Sequence, residues 1–423
     1  SILREALLRG RHQVSAIDSR QPRRQSSILP EDIRLTPPQV SVRLLPFLAV
    51  AWTRASLAIV IPGFIATFDL SIAEAGRVVM GIEIGSFATM IVLAFAMDRL
   101  GPGRVMAWGL PVLGLALLAT SLTTTTLLLP VFLLAIGAGI ALSASASNTL
   151  MASTGRRRTI YLGWLHMSFS GFSLVVPLVA GYIVAAYDWQ TFYQVLAVIA
   201  ILILLGYRAV EGTGRRQTAT VARMQGAGEA LRRNLAIYLG VFFLVGVQGI
   251  LMSWSYMYAI DRHGVEHAAA AVAPASVWLG VLAGRAANIA AARRFTLKTI
   301  MVASCLLTMI AFMGEYLLSS YWATLTAFAG VGFGVSGAFQ HGTAWSSERT
   351  PGEVGAASTF VMAAAALGVG VWPWLVGLAA DAFGFASMTP VAMAGLLLAL
   401  ASFAAAGPAP RRPAGIGEAG GRE

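Results

Sequence analysis

Twelve stretches of about twenty largely uncharged, apolar residues punctuate this 423-residue chain, near 44–67, 76–97, 104–122, 127–150, 159–184, 189–209, 235–259, 268–290, 298–318, 321–345, 354–379 and 384–406. At 1.5 Å per residue, each is long enough as a helix to cross a hydrocarbon layer of roughly 30 Å. Only 12% of the residues are charged, about half the share of a soluble domain, so the chain has no wettable surface for a soluble fold. In lipid, a span must satisfy its backbone polar groups internally, which a helix does. The sequence therefore predicts an all-α membrane protein with twelve transmembrane helices and the lipid bilayer as its solvent. The single cysteine, Cys305, excludes a disulfide and cysteine-based metal sites. No cofactor and no metal is expected.

The charges are bunched between the spans. The formal net charge is +11, and its distribution is that of a membrane protein, with no nucleic-acid partner implied. With the N-terminus inside, the outer loops hold only Arg77 and Arg262. The inner loops and tails hold Arg99, Arg104, Arg156, Arg157, Arg158 and six arginines from Arg208 to Arg233. Basic loops remain cytoplasmic, which predicts cytoplasmic termini at both ends and a plasma membrane, bacterial inner membrane, location. Residues 1–43 carry eight arginines and four acids and read as a disordered, basic cytoplasmic arm. Residues 210–234 read as a cytoplasmic linker and 407–423 as a mobile tail.

That linker divides the spans six and six, over 44–209 and 235–406. Sliding one half on the other by 193–194 residues aligns Arg99 with Arg293, Arg104 with Lys298, and Gly137, Gly139 and Ser143 with Gly330, Gly332 and Ser336. The pattern predicts two six-helix, pseudo-symmetric bundles.

Ionisable groups inside oily helices cost about 3 kcal/mol each and need a partner or a task. Arg54 lies about 15 Å from the inner end of span 1, and Glu83 about 21 Å from that of span 2, one helical turn apart in depth. Three readings follow: a salt bridge fixing spans 1 and 2, a working pair in which Arg54 binds an anionic solute and Glu83, losing its counter-ion, takes up a proton, or separate roles for the two residues. His166 is either a buried neutral ring bonded to a carbonyl, or a donor or proton relay facing a cavity. Gln248 aligns with Arg54 under the repeat, and Trp254 and Tyr256 lie above it as one wall of a solute pocket, although an interfacial belt also explains such aromatics. Asn148 and His341 align near the inner ends of their spans as gate candidates. Arg285 reads as a structural group that snorkels or clasps an Asp or carbonyl groups near the inner end of span 8, with a gate as the alternative, and Glu315 as an acid reaching water. The glycines at 330–334 read as a close helix contact rather than a phosphate loop.

After span 2 the sequence runs Leu93, Ala94, Phe95, Ala96, Met97, Asp98, Arg99, Leu100, Gly101, Pro102, Gly103, Arg104. This resembles the loop signature of the major facilitator superfamily, G-x-x-x-D-R-x-G-R-R, with Ala94 in place of the first glycine and Gly103 in place of an arginine. The resemblance implies that Asp98, Arg99, Gly101 and Arg104 form a conformational-switch loop. The Gly284–Arg285 pair and the segments 329–342 and 372–384 are similar to the fucose permease-like branch. Spans 1 and 4, however, lack the carboxylates that a sugar:proton symporter would carry. The glycine–proline motif of drug:proton antiporters survives only as Val176, Pro177, Ala180 and Gly181.

The implied activity is secondary transport by alternating access, with a small polar or anionic organic solute as substrate, proton coupling and a monomer as the working unit. Drug efflux is the alternative. A membrane-embedded enzyme is disfavoured because no HExxH spacing occurs and the buried polar groups stand singly. A sensor that no longer transports is a further alternative.

Overall fold

The structure, a computed structural model, describes residues 34–154, 157–212, 227–318, 320–350 and 353–407. The expected arm over 1–33, the centre of the linker at 213–226 and the tail beyond 407 lie outside the described residues. Span 1 is a broken helix, Pro37–Ala55 and Leu57–Phe68, bent by 51°. Then come span 2, Ile72–Leu100; span 3, Pro102–Leu122; span 4, Leu129–Ala152; span 5, Arg158–Ala186; and span 6, Trp189–Glu211. The second half comprises span 7, Ala227–His263; span 8, His267–Ala270 and Val272–Ala291; span 9, Leu297–Leu317; span 10, Tyr321–Val335 and Ala338–Arg349; span 11, Val354–Phe383; and span 12, Met388–Ala405. Among the described residues, eleven helices are long and apolar enough to cross a membrane, and the bent pair makes twelve.

Two boundaries differ from expectation. The arm was expected to run to residue 43, yet the first helix starts at Pro37. Proline suits the first helical turn because its missing N–H has no partner there anyway, and Thr36 forms a capping box with Gln39. Residues 227–234, expected in the linker, already belong to span 7, where Ala, Glu, Leu and Arg all favour helix. The buried carboxamide of Asn234 ties that turn to span 10, donating to the Ser346 carbonyl and Thr350 hydroxyl, both at 3.3 Å, and accepting from Arg349 at 3.1 Å. Asn234→Ala strands these partners and is expected to cost about 2 kcal/mol, read as a lower melting temperature of the detergent-solubilised protein.

Within each half, glycines let helix backbones touch. A Cβ on Gly137 would lie 2.0 Å from the Ile82 carbonyl oxygen, joining spans 4 and 2; a Cβ on Gly332 would lie 2.0 Å from that of Val277, joining spans 10 and 8. Gly85 against Leu134 and Gly280 against Ala329 repeat the relation. Ile82 to Val277, Gly85 to Gly280, Leu134 to Ala329 and Gly137 to Gly332 are all 195 residues apart. The halves are therefore repeats, in a register one or two residues longer than the letters suggested. One residue turns a helix position by about 100°, so the pairing of Arg54 with Gln248, and of Asn148 with His341, does not follow from these contacts.

The halves meet along two seams, span 2 with span 11 and span 5 with span 8. Second and fifth helices of opposite halves pair in both, as a pseudo-twofold axis requires. At the arginine-poor end, Asp381 of span 11 caps span 2, accepting from the Ile72 and Ala73 amides at 2.9 Å each. Asp188, capping span 6 there, accepts from Thr191, which holds its carboxyl below the usual carboxylate range.

Candidate functional site

The break in span 1 creates the site. Leucines and isoleucines on both sides favour a continuous helix, but Thr53 donates to the Ala49 carbonyl and Ser56 to that of Thr53. Such back-bonding bends helices, and Pro62 removes a further amide donor from the second segment. Arg54 sits in the last turn before the break. Its guanidinium grips Glu83 of span 2 with both terminal nitrogens, the second at 3.1 Å. It also donates at 3.4 Å to Ser86, whose hydroxyl donates to the Gly137 carbonyl of span 4 at 2.9 Å. The depth arithmetic for Arg54 and Glu83 thus identified a real pair. Both readings of it remain compatible with the geometry.

The exposures of the two partners differ. The Arg54 side chain is 20% exposed and that of Glu83 only 4%. Glu83 also lies on the seam between the halves: a Cβ on Gly370 of span 11 would stand 3.2 Å from its Cβ.

A second cluster lies on the other seam. Arg285 of span 8 donates to the His166 carbonyl at 2.6 Å and to the Ser170 hydroxyl at 2.5 Å, both on span 5. Of the partners expected for Arg285, the structure shows a carbonyl and no Asp among the described residues, and that carbonyl belongs to the opposite half. The half-buried His166 ring stands edge-on to Phe47 with centroids 6.1 Å apart. Phe169 packs against both Phe47 and Trp278. Gln248 is half-buried.

Other expectations are corrected. Trp254 is fully buried, donates to the Pro373 carbonyl at 2.9 Å and packs on Phe385. Tyr256 is buried, stacked on His267 and bonded to its Nδ1 at 2.7 Å. Neither ring walls a solute pocket here, because each is spent on packing inside its own half. Glu315, expected at water, is 1% exposed. Tyr258 donates to one of its oxygens, and Thr389 to the other at 3.0 Å. Its place at a span end hid this, since it lies on the face turned into the bundle.

Asn148 donates to the Ala144 carbonyl of its own helix at 2.9 Å. His341 is buried beside Gly337, where a Cβ would also meet Asn288, and no hydrogen bond joins it to Asn148 among the described residues. In the switch loop, Gly101 adopts φ +79° between spans 2 and 3, a conformation that favours glycine. Arg99 and Arg104 are exposed and form no ion pair among the described residues. The Asp98 side chain lies outside the described residues.

Sequence reasoning missed Ser86, Ser170, Phe169 and the Asp381 cap. Ser170 follows His166 by four residues and so shares its helix face, a signal that was available. Ser86 follows Glu83 by three in the same way. Nothing in sequence spacing linked Asp381 to Ile72, 309 positions away.

A family model described as Major Facilitator Superfamily matches residues 45–314. The methylenomycin A resistance protein of Streptomyces coelicolor is 28% identical over 211 residues, covering 49% of this chain and 43% of that protein. The chain thus spans less than half the length of that relative. A bacterial homologue of the human lysosomal transporter Spinster, in an inward-facing and occupied conformation, superposes with TM-score 0.69 at 15% identity over 87% of this chain and 95% of its own. The nucleoside transporter NupG superposes with TM-score 0.69 at 14% identity over 87% and 99%. At these identities the likeness is one of fold.

Proposed function

This chain belongs to the Major Facilitator Superfamily, and from that premise we propose that it is a secondary active transporter moving a small polar or anionic organic solute by alternating access, with Glu83 as the proton-coupling group. The carrying observation is the Arg54–Glu83 pair, buried at a broken span and pressed against Gly370 of the opposite half. Broken helices at mid-depth are where transporters of this kind build their sites. The arginine-rich end is taken as cytoplasmic, so the Asp381 cap closes the opposite, outward end. Gln248 and His166, both half-buried, are the further polar groups offered to the solute in this reading. The membrane is the bacterial inner membrane in this reading, and the working unit is a monomer.

The pair supplies a coupling cycle. With Arg54 in place, the Glu83 carboxylate is neutralised by the guanidinium. When a solute or a shift of span 1 draws the guanidinium away, a buried bare carboxylate is costly, and a proton replaces the lost counter-ion. The two states differ in charge at the seam, which biases the halves toward different arrangements. Glu83→Gln holds that site neutral permanently. In proteoliposomes it is expected to retain solute exchange while losing the dependence of net uptake on a pH gradient. Undiminished proton dependence in that variant removes Glu83 from the mechanism.

Drug efflux is the second reading, favoured by the relative whose name is a resistance protein. It predicts that cells lacking the protein become more sensitive to amphiphilic antibiotics.

A further inference from the structure

The cations in this fold are not equivalent. Arg43 is answered by Glu211 at 2.7 Å and Arg54 by Glu83. Arg285 has no carboxylate partner among the described residues: its terminal nitrogen meets only the neutral His166 carbonyl and Ser170 hydroxyl, and its Nε is buried without a hydrogen-bond partner. A guanidinium inside a span, unneutralised and with a donor unused, is a costly arrangement. It is satisfied by a ligand that brings both a negative charge and two acceptor oxygens, which is a carboxylate in the bidentate geometry that arginine favours.

The surroundings suit the rest of such a ligand. Ser170 is fully buried, and the Ser173 hydroxyl, one turn further along span 5, is buried without a partner. Phe169 meets Trp278 across the seam with ring centroids 5.7 Å apart, and Phe47 meets Phe169 at 5.8 Å. Trp278 precedes Arg285 by seven residues and so lies two turns along the same face. A cation, the unpartnered Ser173 hydroxyl and a line of aromatic rings therefore occur together where the two halves touch.

We propose that Arg285 is the group that receives the carboxylate of an organic acid solute, which takes the guanidinium from the His166 carbonyl and Ser170. This deepens the transporter reading and rests on it. It moves the anion site from Arg54, whose charge Glu83 already balances, to span 8. The exchange also gives the solute leverage. The hydrogen bonds it replaces join span 5 to span 8, so binding loosens one of the two seams that hold the halves in their present arrangement.

The test uses the full chain in nanodiscs, with acetate, pyruvate and benzoate as probes and benzamide as the uncharged match for benzoate. Melting temperature and tryptophan fluorescence are read at constant ionic strength. At least one carboxylate is expected to stabilise the protein saturably, while benzamide does not. Arg285→Lys keeps the charge but not the fork, and is expected to weaken carboxylate binding about 30-fold. Ser170→Ala removes a neutral competitor for the guanidinium, so carboxylates bind it as tightly as the wild type or several-fold more tightly. A purely structural clasp predicts lowered stability in both variants and no opposed change in affinity. Equal carboxylate affinity in wild type and Arg285→Lys overturns the proposal, as does equal binding of benzoate and benzamide. If no carboxylate binds while proteoliposomes still exchange uncharged or cationic solutes, the anion site fails and the transporter reading stands. If the proteoliposomes exchange nothing, both fall.

Discussion

Arg54→Ala is expected to abolish proton-coupled transport and to destabilise the protein by about 3–5 kcal/mol, the usual cost of stripping one partner from a buried ion pair. Glu83, 3% exposed beside Arg54, then loses the guanidinium that answers its charge. Arg54→Ala combined with Glu83→Ala removes the stranded charge as well. Much of the lost stability is expected to return, while coupled transport stays absent. A double-mutant cycle on melting temperature in detergent, run beside proteoliposome uptake, separates the two quantities. A coupling energy near zero between the two positions contradicts the pair as described.

A steric wedge at Gly76 is expected to shift the balance between conformations without unfolding either half. A Cβ there would lie 2.7 Å from the Trp374 backbone, across the seam between spans 2 and 11. Gly76→Val therefore overpacks a contact that exists only while the arginine-poor end is closed. Overpacking costs about 1–3 kcal/mol, which changes the ratio of closed to open forms by roughly 5- to 150-fold. Gly137→Val and Gly332→Val place a similar clash within a half, where no rocking motion relieves it, and are expected to prevent folding instead. Spin labels at Tyr187→Cys and Phe383→Cys, both exposed at that end, report the opening in a Cys305→Ala background. An unchanged distance distribution in a folded Gly76→Val protein sinks this expectation.

Particular residues show how far the sequence reached. The Arg54–Glu83 contact was legible because depth along a helix is a matter of counting, and two charges at similar depth in consecutive spans have few other partners. Trp254 and Tyr256 were misplaced because counting gives depth but not azimuth. An aromatic ring on span 7 can face a cavity or span 11, and only packing against Pro373 and Phe385 settled which. Glu315 failed for the same reason. The repeat was visible, but its register was set by glycines at backbone contacts rather than by matching letters. Arg285 was seen as a clasp, yet neither its partners nor its lack of an acid could be read before span 5 was placed beside it.

The sequence by itself determined the solvent, the number of spans and their division into halves, because hydrocarbon thickness and backbone satisfaction act on each helix alone and are recorded in local composition. Tertiary structure decided which polar faces meet, where the halves are sealed and that the buried Arg285 meets no carboxylate among the described residues. Those facts depend on the rotation of each helix about its axis, which close packing of distant segments fixes.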